Sequence, residues 1–116
     1  MTPQELLGTA RSLASSANRR LGASRFLAAA LLVRQALEDA LRAFWRQECP
    51  GVENCSWRVQ LVSLPFFLND SDLAGSTVSA WYRLSTMCHY DRLASHTDLT
   101  ELEGLLDVVD RFVVVV

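Results

Sequence analysis

Between residues 25 and 47 the chain reads RFLAAALLVRQALEDALRAFWRQ, with Phe26, Ala30, Val33, Leu37, Ala40, Leu41 and Phe44 recurring at alternating steps of three and four. At about 3.6 residues per turn this spacing keeps one face apolar and predicts a long amphipathic helix. The first half, Phe26 to Val33, is apolar all round, which predicts a segment enclosed on every side. The second half carries Arg34, Gln35, Glu38, Asp39, Arg42 and Arg46 opposite the stripe and should reach water. Glu38 and Arg42 stand four apart with the acid first, a surface pairing worth about 0.2–0.5 kcal/mol. The other segments are expected to pack around this helix.

Ahead of it, Thr2, Pro3 and Glu5 predict a helix start with a threonine cap, proline at the first helical position and a glutamate that closes a capping box. Leu6, Ala10, Leu13, Ala14 and Ala17 form the stripe of this first helix. A break is expected between Asn18 and Ser24, where Gly22 falls. Behind the central helix, Pro50-Gly51 predicts a turn. A short third helix follows, capped by Asn54 or Ser56, running through Trp57, Leu61, Val62 and Leu64, and kinked or ended by Pro65. Phe66, Phe67 and Leu68 are expected to plug one end of the core. Residues 69–72 offer several caps for a fourth helix from about Asp72 to about Tyr90, with Leu73, Val78, Trp81, Leu84, Met87 and Cys88 inward. Residues 91–97 read as a loop containing His96. Asp98 and Glu101 then suggest a capping box for a last helix carrying Leu99, Leu102, Leu105, Leu106, Val109, Phe112 and Val113. The closing run of four valines, 113–116, disfavours helix locally. The pattern as a whole predicts an all-α bundle of four to five helices in one domain, residues 1–116.

Composition narrows the class. Half of the 116 residues are hydrophobic and 21% charged, so the chain can build a core without disulfides or a metal. No apolar run approaches the roughly 18–20 residues of a membrane span, and no secretory signal is evident. Three cysteines, Cys49, Cys55 and Cys88, are an odd number, which together with the absence of an export signal points to reduced thiols in a cytoplasm. The Cys49-to-Cys55 spacing is not that of a zinc knuckle, so neither a metal nor another cofactor is expected. All eleven basic residues are arginine, a bias that codon usage in a GC-rich genome explains. Residues 1–58 hold eight arginines against five acids, and residues 59–116 three against eight. A polyanion surface, if present, therefore belongs to the first half, at Arg11, Arg19, Arg20 and Arg25. A solvated helix surface accounts for the same residues more plainly. Trp45, Trp57, Trp81, Phe66 and Phe67 are expected in the core or a dimer interface rather than as base-stacking platforms.

One pair could carry chemistry. Arg83 and His89 stand six apart near the end of the fourth helix, about 120° apart around its axis, so they cannot meet at one atom within a chain. Across a two-fold axis they could, placing two arginines and two histidines in one cleft. A guanidinium fork binds a phosphodiester, and an imidazole near neutral pKa can move the proton of a ribose 2′-hydroxyl. Taken alone, Arg83 is also readable as a solvated surface residue and His89 as a group interacting with the helix end.

The long helix with R-Q-A-L-E-D-A-L (Arg34 to Leu41), Trp45, the Arg83-x5-His89 spacing and Met87-Cys88-His89-Tyr90 together resemble the HEPN superfamily, and in particular small actinobacterial HEPN-like proteins. The resemblance covers roughly residues 24–112. It implies a helical symmetric homodimer. Many members are metal-independent RNA endonucleases of toxin–antitoxin or defence systems, while others bind nucleotides or have no catalytic role. Carried over, Arg83 would contact the scissile phosphate and His89 would act as acid or base, with a cognate protein as a possible further partner; the basic first half of the chain would then offer Arg19, Arg20 and Arg25 as the RNA-binding residues. The residue after the motif arginine is often polar in active members and is Leu84 here, a departure that favours a non-catalytic dimerisation or protein-interaction module.

Overall fold

Thr2 opens the first helix, α1 (Pro3–Ala17). Its hydroxyl accepts from the Glu5 N–H at 3.1 Å, and the Glu5 carboxylate accepts from the Thr2 N–H at 3.2 Å, the reciprocal capping box that satisfies two otherwise unbonded donors. These bonds to Thr2 hold the Glu5 carboxyl below its ordinary value. The computed structural model describes residues 1–17, 22–89 and 96–116. Within them lie four more helices: α2 (Gly22–Glu48), α3 (Trp57–Phe67), α4 (Ser71–His89) and α5 (His96–Val115), with a 3₁₀ turn at Val52–Asn54 between α2 and α3. The architecture is all-α, and no described helix is long and apolar enough to cross a membrane.

The 27-residue α2 is the axis of the molecule, touched by all four other helices. Ala29, Ala30, Val33, Ala36, Leu37, Ala40, Leu41 and Trp45 on it are at most 1% exposed. Its alanines let neighbouring helices approach closely, and its large residues fill what remains. Phe44 meets Trp45 edge-on at 5.0 Å and Phe112 at 5.9 Å, while Trp45 meets Phe67 at 5.0 Å, so the C-terminal ends of α2, α3 and α5 are joined by one chain of rings. Arg11 of α1 pairs with Asp107 (3.2 Å) and Asp110 (3.9 Å) of α5, and farther along α1 Ala14 and Ser15 line one cleft with the earlier Glu103, so these neighbouring helices run antiparallel.

Three local expectations are corrected. The first half of α2 is not enclosed all round, since Leu31 is 47% exposed. Pro65 does not end α3; it lies in the last turn, where it removes only its own donor, and Leu68 N–H still closes on the Leu64 carbonyl at 2.9 Å. Phe66 and Phe67 do not plug the core: they are 84% and 41% exposed, Phe67 keeping an edge-on contact with Trp45 while the helix turn carries Phe66 outward.

Caps resolve as Ser56, whose hydroxyl accepts from Val59 N–H at 3.3 Å, and Asp70, whose carboxylate accepts from Leu73 N–H at 3.0 Å. Gly51, at φ 107°, supplies the left-handed turn out of α2. Buried Gln60 then ties that turn to α3, its amide donating to the carbonyls of Glu53 (3.3 Å) and Cys55 (3.0 Å). α5 stays helical through Val115 despite its valines. Each valine costs less than about 0.7 kcal/mol of helix propensity, whereas full burial of Phe112 alone contributes roughly 1.5–3 kcal/mol. The terminal Asp98 cap proposed for this helix lies outside the described side chains; the helix itself starts two residues earlier, at His96.

Candidate functional site

α4 packs antiparallel to α5 and leaves an open groove of about 910 Å³ between them. Gly75, Ser76, Ser79 and Ala80 keep the α4 wall low, Leu105 and Val108 form the apolar α5 wall, and Tyr82, Arg83, Thr86 and Glu101 supply the polar end. Arg83 is about one-third exposed there. Its Nε donates to Glu101 Oε1 at 2.7 Å and its Nη2 lies 2.6 Å from the same oxygen. The guanidinium thus arrives in the groove already accompanied by a carboxylate that sequence reasoning had assigned only to a cap. The separation of eighteen residues hid it, because α4 and α5 meet only in the folded chain.

His89 occupies the last turn of α4 and is exposed. Six residues separate it from Arg83, about 9 Å along the axis, and the two side chains leave the helix in different directions. One chain does not bring them together. Arg25 is half-buried in the first turns of α2, while Arg19 and Arg20 lie outside the described residues. Arg11, the fourth member of the basic cluster, spends its charge on Asp107 and Asp110, so part of the charge asymmetry between the two halves of the chain is neutralised internally.

The most buried charge in the described chain was not anticipated. Glu38, expected on the solvent side and paired with Arg42, is 8% exposed. Its Oε2 accepts from Arg34 Nε at 3.2 Å and from Trp81 Nε1 at 3.1 Å, while Arg42 turns instead to Asp39 at 3.2 Å. The helical order of this pair is therefore Arg34-to-Glu38 rather than Glu38-to-Arg42. Arg34 also lies 5.6 Å from the centre of the Trp81 ring and Arg42 4.8 Å from that of Trp57, and the two indoles are 6.3 Å apart. Each half-buried tryptophan is thus covered by a guanidinium on one side. Cys88 sits beside this cluster. Burial pushes its thiol above the ordinary 9.0, and the Arg34 guanidinium pulls part of the way back.

All three cysteines are unpaired. Among the described residues no three His, Cys, Asp or Glu side chains group closely enough to hold a metal ion. No protein-family model, no curated protein and no solved structure matches this chain.

Proposed function

We propose that this chain is a HEPN-like helical subunit that works as a homodimer and cleaves RNA without a metal, its site composed across a two-fold axis at the C-terminal part of α4. The observation that carries the proposal is the position of Arg83, one-third exposed at the polar end of an open groove, with the exposed imidazole of His89 at the end of the same helix. A second copy would bring the His89 of one chain toward the Arg83 of the other. Arg83 would hold a phosphodiester by charge-assisted hydrogen bonds. One His89 would take the proton of the ribose 2′-hydroxyl, whose oxygen bonds to phosphorus as the 5′-oxygen leaves, and the second His89 would protonate that leaving oxygen. The products are a 2′,3′-cyclic phosphate and a 5′-hydroxyl end.

A second reading is a non-catalytic HEPN-like dimerisation or protein-interaction module. It is favoured by Glu101, which already occupies the Arg83 fork that a phosphate would need. Incubating the protein with single-stranded RNA in EDTA separates the two. Cleavage that falls at least about 100-fold in both Arg83→Ala and His89→Ala supports the nuclease. Equal cleavage by wild type and His89→Ala, or none by either, leaves only the module.

A further inference from the structure

The outer face of α3 has an unusual composition for a surface. Val59, Val62 and Phe66 are 45%, 62% and 84% exposed. Steps of three and four place them within a narrow arc, directly opposite the buried Gln60, Leu61 and Leu64. No acidic residue lies on α3, and its only charge is the exposed Arg58 on the flank of this stripe. Five residues beyond its last residue, in the first turn of α4, lies the exposed Asp72. Neither Arg58 nor Asp72 forms an ion pair among the described residues.

We infer that this face docks a second copy of the chain, α3 against α3 in antiparallel fashion about a two-fold axis near Val62. In that arrangement Val59 of each copy lies beside Phe66 of the other, and the two Val62 side chains meet at the centre. The charges follow the same symmetry. Arg58, at the start of one α3, approaches the end of the other, where Asp72 lies, so each interface gains the same pair twice. This self-complementarity selects a second copy over a membrane surface, since one arginine at the start of the helix, with the acids Asp70 and Asp72 beyond its other end, is no polybasic patch.

The area agrees. The three apolar side chains expose on the order of 300 Å² per copy, and at an apolar share near 60% the joint would bury roughly 1,000 Å² in total, the lower end of specific interfaces. The dimer is therefore concentration-dependent. It does not rest on Arg83 or His89, and its readout is mass rather than cleavage.

Sedimentation equilibrium from about 1 to about 500 μM, a span suited to an interface of this size, provides the test. The apparent mass is expected to double across it in wild type and to stay at the lower value in Val62→Glu, with unchanged far-UV circular dichroism because Val62 is exposed. A mass that does not rise with concentration in wild type, or a rise that Val62→Glu leaves intact, overturns the inference. Charge reversal identifies the partner. Arg58→Glu and Asp72→Arg should each weaken self-association, and an equimolar mixture of the two, carrying donor and acceptor dyes, should restore pairing between unlike copies. A mixture that pairs no better than either variant alone rules out the antiparallel arrangement.

Discussion

Replacing Arg34 by methionine tests whether the polar contact between α2 and α4 is held by charge compensation. Glu38 is 8% exposed and keeps two donors on one oxygen, Arg34 Nε at 3.2 Å and Trp81 Nε1 at 3.1 Å. Removing one partner of a fully buried pair costs about 3–5 kcal/mol because the other charge is stranded. Here the Arg34 side chain is 25% exposed and the indole donor stays, so screening and the remaining bond reduce the expected loss to about 2 kcal/mol. In a domain of this size that lowers Tm by roughly 8 °C. Glu38→Leu has a different cost. Arg34 can extend toward water, and the loss of about 1.5 kcal/mol comes mainly from the orphaned Trp81 N–H. The double variant Arg34→Met/Glu38→Leu strands no charge and should lose no more than the Glu38→Leu single. Urea denaturation followed by far-UV circular dichroism on all four proteins then gives a coupling of about 2 kcal/mol. Single losses that simply add, to within about 0.5 kcal/mol, would refute the reasoning and make Arg34 an ordinary packing residue.

Three further outcomes follow from the same physics. Gln60→Leu should lose about 1–2 kcal/mol in the same denaturation assay, since it removes both amide bonds that tie the Glu53 and Cys55 carbonyls to α3; an unchanged midpoint would mean that water replaces the amide without loss. Cys88, its thiol raised by burial, should react with a thiol reagent much more slowly than exposed Cys55, as mass spectrometry of the labelled peptides would record. The raised value also sets a pH dependence. The unfolded chain gives up the Cys88 proton before the folded one does, so this residue's contribution falls as pH climbs above 9.0 toward the folded value, and Cys88→Ala should flatten the difference in stability between about pH 8 and about pH 10.

The helices were legible wherever local chemistry decides. Thr2 and Glu5, Ser56, Asp70 and the stripe from Phe26 to Phe44 all act through neighbours three or four residues away, which the sequence displays directly. What was not legible depends on partners distant in sequence. Glu38 looked like a surface acid until Trp81, forty-three residues on, supplied the indole N–H that makes its burial tolerable. Glu101 looked like part of a cap until α5 folded back along α4 and placed it on Arg83. Phe66 and Phe67 were read inward from hydrophobicity alone, yet Phe67 touches Trp45 only by its edge and stays 41% exposed, and the helix turn leaves Phe66 outside. The Arg83 and His89 pairing stands apart from these. Their spacing on α4 already said that one chain cannot join them, and the fold keeps them on separate sides.

The antiparallel seam between α1 and α5 has a consequence for the order of the chain itself. With Arg11 level with Asp107 and Asp110, the beginning of α1 and the end of α5 lie at the same pole of the bundle. A brief glycine-rich bridge from Val116 to Met1 would then close the polypeptide into a ring without redirecting any helix, and the ring could be opened elsewhere, at the exposed turn around Gly51. Such a circular permutant would ask whether the packing of these helices depends on the order in which the chain connects them.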